Sequence, residues 1–436
     1  MYDQRRQKLM EKMGQGSVGI WMASSSKIRS NDTEYRYRTS SDLFYLTGCS
    51  VPEAVLILRP DAEKEKVVLF VRPRDAEKEI WTGRRFGATR AKEYFNVDAA
   101  YATDELDKKI EDYLVGADRL YYRFGVESEQ DKRVLGWVET VKRQRRFGKR
   151  TPSHLIDSSN LVHEMRLIKD QFEIDIMRKA ADISVDMHKM AMKATRPDME
   201  EYELDSLLQY HCRLNGCADT SYLSIVGGGS NAAVLHYVEN DQHLKDGELL
   251  LIDAGAEYQH YAGDITRTFP INGKFSDKQK QVYEIVLSAM ESAFEQCKPN
   301  NRFIDIHDAA VRRLTEGLIE LGVLEGELDQ LIKDEAYKPY YMHKTSHWLG
   351  LDVHDVGSYF EEDGSSRILR AGMVLTVEPG LYFNPNFYKD AEKADPYKNI
   401  GIRIEDDILI TDDGYENLTK DAPKTVSAIE SLISSQ

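Results

Sequence analysis

Two aspartates, Asp253 and Asp264, stand inside the run ELLLIDAGAEYQHYAGDITRTF (residues 248–269), among residues that otherwise read as buried strand. Neither has a Lys or Arg near enough in sequence to be an obvious partner, and burying one uncompensated carboxylate costs several kcal/mol. A hairpin turning over residues 257–260, centred between Tyr258 and Gln259, sets Asp253 directly across the ladder from Asp264. Like charges so placed repel each other. Something positive must therefore sit between them.

The carboxy-terminal third supplies matching oddities. In GIRIEDDILI the even positions Ile402, Ile404, Ile408 and Ile410 are apolar, so period-two alternation puts Arg403, Glu405 and Asp407 together on the other face. Glu378 ends the apolar run VLTVEPG just before a Pro-Gly turn, and His343, His347 and His354 cluster in MHKTSHWLGLDVHDVG, whose glycines argue against a continuous helix. Each feature alone has an ordinary reading as a turn residue, a cap or core packing. Together they define one face rich in carboxylates with at least one imidazole. Such a thiolate-free set suits Mn²⁺, Co²⁺, Fe²⁺ or Zn²⁺, and four negative charges call for two divalent ions. The H-E-x-x-H motif is excluded, because Lys344 stands where it needs Glu.

These acids sit in a longer pattern. A helix opens at Asp170 with Glu173 completing a capping box and carries Ile174, Met177, Ala181 and Ser184 on one stripe; a second, with Leu204, Leu207, Leu208 and Leu214, stops at Gly216. Strands follow, and the cycle restarts with a helix capped by Ser276 and Gln279, carrying Val282, Ile285, Val286, Ala289 and Ala293, then one over residues 309–321 and further strands. Helix-helix-strands, repeated, suggests two similar halves facing each other across one sheet, with a single asymmetric α+β domain as the alternative the order alone leaves open. Upstream, AVLIL and KVVLFV mix with charged helical segments as in a compact α/β domain, and the basic stretch from Val141 marks a boundary, giving domains 1–160 and 161–436.

The formal charge of −16 over 436 residues excludes a nucleic-acid groove or an anionic membrane surface as the expected partner. Peptides and small molecules remain. Four scattered cysteines form neither a disulfide framework nor a thiolate metal site, which fits a reducing, cytoplasmic compartment. GSVGIWMA is short and interrupted by Gly, so it reads as an edge strand rather than a signal peptide, and no run is long enough to span a membrane.

DAG and GDITRTF, HWLGLDVHDVG, TVEPGLYF and GIRIEDD, in that order, resemble the pita-bread metallopeptidases. SIVGGGSNAAVLHY, YRTSSDLFYLTGCSVPEAVLIL and WTGRRFG are similar to the Xaa-Pro aminopeptidase (aminopeptidase P) branch. The resemblance covers nearly the whole chain. It implies a creatinase-like α/β amino-terminal domain and an α+β pita-bread catalytic domain with a pseudo-twofold repeat. It implies metal ligands Asp253, Asp264, His347, Glu378 and Glu405, with Asp264 and Glu405 bridging two ions, Mn²⁺ first among them. It further implies Glu378 as the group that steers or accepts the nucleophile's proton, His236 and His354 as donors to the substrate carbonyl, and His343, Tyr382 and Arg403 as walls of a proline pocket. Tyr222 would orient the amino-terminal side of the peptide, and Trp81 would form a rim in a homodimer or homotetramer. The implied activity releases the first residue from peptides with proline second. A dipeptide-restricted prolidase is the alternative within the fold, and a non-catalytic binding protein, which would be expected to lack ligands, the alternative outside it. One departure is His260, where the family often has Gly in the hairpin turn; it must accept a positive φ or move the turn.

Overall fold

The computed structural model describes residues 1–388 and 390–435 and divides into two compact units, Met1–Met165 and Arg166–Gln436. The amino-terminal unit is a six-stranded mixed sheet. Its strands are β1 (Ser17–Met22), β2 (Val55–Leu58), β3 (Val67–Val71), β4 (Ala99–Ala102), β5 (Arg119–Tyr121) and β6 (His154–Ile156), ordered β4-β3-β2-β1-β5-β6. Residues such as Val18, Ile20, Ile57, Phe70, Ile110 and Trp137 form its core. The segment expected as an edge strand is β1, and it is central. It pairs with β2 on one side and β5 on the other, with all six residues buried. The glycine that suggested an edge serves packing instead: a Cβ on Gly19 would lie 2.4 Å from the Trp21 ring.

The carboxy-terminal unit opens with α1 (Gln171–Ala194), capped as predicted: Asp170 accepts from the Glu173 N–H and Glu173 accepts from the Asp170 N–H, each at 3.0 Å. Then come α2 (Glu201–Leu214), β7 (Ile225–Gly228), β8 (Leu249–Asp253), β9 (Ala256–Tyr258), β10 (Tyr261–Ala262) and β11 (Thr266–Pro270). The second half runs α3 (Asp277–Phe294), α4 (Phe303–Glu320), β12 (Val374–Val377), β13 (Gly380–Tyr382), β14 (Gly401–Arg403) and β15 (Asp406–Ile410). Helix α4 begins six residues before the predicted start, where the Arg302 N–H is capped by Asp305. Leu214, placed on the core stripe of α2, is 66 % exposed, because the helix ends there and leaves it beyond the packed turns.

The repeat is visible in the strands themselves. In each half a strand is interrupted, continues, returns and is interrupted again, and each interruption is flanked by an acid: Asp253 and Asp264 in the first half, Glu378 and Glu405 in the second. The expected single sheet is therefore divided into short ladders, β7-β8-β11 and β12-β15 with β13-β14 beside them. The halves join where the Glu405 N–H donates to the Thr266 carbonyl at 3.0 Å. The first interruption needs glycine, since a Cβ on Gly255 would lie 1.7 Å from the Gly263 oxygen.

The hairpin register differs from the expected one by a step. Asp253 faces Thr266 and Tyr258 faces Tyr261, so the turn is Gln259-His260, with φ of 48° and 71°. Both residues take the left-handed conformation that a two-residue type I′ turn requires. His260 thus accepts a positive φ, and the turn also moves. Because the shift carries Asp264 two positions along the strand, the side-chain parity survives and both acids still emerge on one face.

Gly255→Ala should destabilise the carboxy-terminal unit by about 3 kcal/mol through this overlap. The check is thermal unfolding, where a clear fall in Tm is expected.

Candidate active site

The acids at the interruptions converge. A cavity of about 490 Å³ is lined by Asp253, Asp264, Glu378, Glu405, His343, His347, His354, His236, Arg403 and Tyr222, together with Lys344 and an apolar group including Leu223, Leu235, Val238 and Val353. Two predicted residues do not line it. Tyr382 stands one contact behind the wall, with its hydroxyl 2.9 Å from His343 Nε2 and 3.1 Å from Arg403 Nη1. Trp81 lies in the amino-terminal unit on the helix Ala76–Thr82 and is 87 % exposed. Asp407, expected on the same face as Arg403 and Glu405, is buried outside the cavity and accepts from the Asp264 N–H at 3.1 Å. The alternation nevertheless holds across the break between β14 and β15: Ile402, Ile404, Ile408 and Ile410 share one core, Asp406 turns away to Arg267, and Asp407 sits behind the cavity wall rather than in it.

Asp264, His347 and Glu405 can each present one ligand atom with all three within 4.8 Å of one another. His347 is held in a definite state. Its Nδ1 is 3.0 Å from the Trp348 carbonyl and donates to it, which turns Nε2 toward Asp264 Oδ2 at 3.4 Å and Glu378 Oε1 at 3.6 Å. An imidazole fixed through its outer nitrogen in this way is prepared to bind a cation through the inner one. Glu405 accepts from the Thr266 hydroxyl at 2.6 Å. The Tyr222 hydroxyl stands 2.5 Å from both Asp253 Oδ1 and Asp264 Oδ1, yet has only one proton to share between them.

Four carboxylates here face one buried guanidinium, Arg403, whose Nη2 is 2.5 Å from Asp253 Oδ2. Sequence reasoning placed Arg403 in the pocket wall and missed this pairing, because partners 150 positions apart carry no local signal. The charge imbalance shows in the protonation of the site. Burial pushes Glu378 up to about 7, and burial together with the neighbouring Asp264 and Glu378 drives Glu405 well above the carboxylate range. Asp264 is raised by burial and Asp253. For His347 burial opposes the charge, but the Asp264 hydrogen bond and the Glu378 and Asp264 charges prevail and raise it to about 9. His343 is lowered by burial and Arg403 to about 3, so it is neutral; its Nδ1 donates to the Lys344 carbonyl, and Nε2 accepts from Tyr382. His354 is lowered by burial and the nearby His347, whose ring lies 4.5 Å away.

Residues 175–412 match the model of metallopeptidase family M24 and residues 2–122 that of the aminopeptidase P N-terminal domain, and the chain belongs to family M24. It is 45 % identical to the Xaa-Pro aminopeptidase of Escherichia coli (strain K12), over 99 % of this chain and 97 % of that protein. Its fold superposes on the aminopeptidase PepP structure of Pseudomonas aeruginosa with a TM-score of 0.97 at 44 % identity, covering 100 % of this chain and 97 % of that one. The aminopeptidase P of E. coli with the inhibitor Pro-Leu superposes with a TM-score of 0.95 at 43 % identity, covering 100 % and 98 %.

Glu378 supplies a pH-dependent stability contribution of known sign in chelated protein. Its folded value of about 7 lies above its ordinary 4.5, so protonation favours the fold; the contribution is complete below about 4.5 and is lost as pH rises through 7. The Tm of chelated wild-type protein, measured relative to Glu378→Gln, should therefore fall between pH 5 and pH 8. A difference that grows with pH would reverse the assignment.

Proposed function

We infer that this chain is an Xaa-Pro aminopeptidase, a metallopeptidase that releases the first residue from peptides with proline in the second position, and we propose the following roles for its residues. The observation that carries the reading is the convergence of Asp264, His347 and Glu405 on one point beside Asp253 and Glu378. Hard oxygen donors with one imidazole fit two divalent ions, Mn²⁺ first, with Co²⁺, Zn²⁺ or Fe²⁺ as substitutes. Asp253, Asp264, His347, Glu378 and Glu405 would hold them, with Asp264 and Glu405 shared between the two. Bound there, such ions would lower the pKa of a bound water and polarise the scissile carbonyl.

The chain's own groups do the rest. Glu378, whose carboxylate lines the cavity, takes the proton of the attacking water and returns it to the proline nitrogen as the C–N bond breaks. His236 and His354 line the cavity and donate to the carbonyl oxygen as it gains charge. His343 and Arg403, backed by Tyr382, form the wall against the proline ring, while Tyr222 beside Asp253 orients the peptide's amino-terminal side. An X-Pro bond carries no amide hydrogen, and its ring restricts the preceding residue to extended backbone. A rigid pocket that needs neither a donor nor a flexible substrate gains selectivity from both facts. We further place the protein in the cytoplasm as a homodimer or homotetramer, with Trp81 as a rim residue. Native mass spectrometry reads the assembly directly, and a monomer would remove that part of the reading. No helix among the described residues is long and apolar enough to cross a membrane.

Asp264→Ala should abolish peptidase activity in every metal while unfolding remains cooperative; retention of most of the activity would remove the bridging role. His354→Ala should lower kcat by about 10²–10³-fold with metal content unchanged, and an equal loss of bound metal would make it a ligand instead. Assayed with Mn²⁺, Co²⁺ and Zn²⁺, an Xaa-Pro-Yaa tripeptide should be cleaved. Cleavage of Gly-Pro alone would make the enzyme a prolidase.

A further inference from the structure

His236 lies on an irregular segment, and what fixes that segment is a buried acid outside the cavity. Glu201 is the first residue of α2 and is wholly inaccessible, yet it pairs with no cation among the described residues. Its two oxygens instead accept from four neutral donors. Oε1 accepts from the Gly228 N–H at 2.7 Å and the Asn231 side-chain amide at 3.0 Å; Oε2 accepts from the Tyr237 hydroxyl at 2.7 Å and the Gln242 N–H at 3.0 Å. A full negative charge at a helix amino terminus is favoured by the helix dipole, and four donors satisfy its lone pairs. The burial is thus compensated without a counter-ion.

The four donors are spread along the chain from 228 to 242, and that stretch carries Leu235, His236 and Val238 to the cavity. Between Ala233 and Gln242 it has no helix or strand to hold it. Tyr237 is 8 % exposed and reaches inward to Glu201, while its neighbour His236 lines the cavity. Asn240, also buried, adds a second tie: it accepts from the Val226 N–H and donates to the Ser224 carbonyl, each at 2.9 Å. Gly228 suits the position, because a Cβ there would meet the Leu244 side chain at 2.8 Å.

We propose that Glu201 is a positioning residue, which sets the His236 imidazole against the substrate carbonyl by gathering residues 228–242 onto one buried carboxylate. The proposal rests on the role given to His236 above. Glutamine is nearly isosteric with Glu201 but turns an NH₂ toward two of the four donors, so the segment must move to relieve the clash of hydrogens. Displacement of a substrate-facing group by about 1 Å can cost up to about 10²-fold in rate.

The test is a double-mutant cycle on the metal-loaded enzyme, with metal content and Tm recorded for each variant. Glu201→Gln should lower kcat/KM by roughly 10- to 100-fold, mainly through kcat, with metal content unchanged. In a His236→Ala background the same substitution should change kcat/KM by less than about threefold. Tyr237→Phe, which removes one donor and leaves the carboxylate, should give a smaller loss in the same direction and guards against misfolding of Glu201→Gln. Equal losses with and without His236 would overturn the proposal and make Glu201 merely structural. Wild-type activity in His236→Ala itself would instead remove the role of His236, a separate result.

Discussion

The molecule is organised around a charge problem: four carboxylates are brought into one cavity where the buried Arg403 guanidinium and the His347 imidazole answer only part of their charge. In a low-dielectric interior such a set does not stay ionised unaided, and the raised affinities of Glu378, Glu405 and Asp264 for protons express that cost. Metal ions held by these acids, as proposed above, would resolve the imbalance and turn it to use. The polar residues around the acids follow from the same need. Tyr222, Thr266 and Arg403 each place a donor on a carboxylate oxygen, so that Asp253, Asp264 and Glu405 are held in place by the fold itself.

The strand interruptions are how the fold delivers those acids. A continuous strand would alternate its side chains between two faces and spread them along its length. Breaking each strand beside its acid turns all four toward one point, and the two halves of the repeat contribute two apiece. The breaks depend on close backbone approach, which is why Gly255 cannot carry a side chain. Histidines then enter from irregular segments, two of them with visible anchors. His347 is fixed by the Trp348 carbonyl, and the stretch bearing His236 is gathered by Glu201.

Much of this was legible in the chain. Capping boxes announced α1 and α3 because they depend on residues three positions apart, and the apolar runs located most strands. The acids stood out because they interrupt those runs. Less legible were features set by neighbours in space. The β1 segment looked like an edge until its two flanking strands were in place, and Leu214 looked like core until the helix end exposed it. Tyr382 was placed in the pocket wall but supports it from behind.

The sequence by itself determined the chemistry available: which acids and imidazoles interrupt apolar strands, and that cations must neutralise them. Tertiary structure alone decided who meets whom. The hairpin register, the pairing of Arg403 with Asp253 and the reach of Glu201 to Tyr237 all join residues through ladders and turns whose geometry is settled only when both halves pack. A carboxylate's need for a counter-charge is a property of the residue; the position from which that charge comes is a property of the fold.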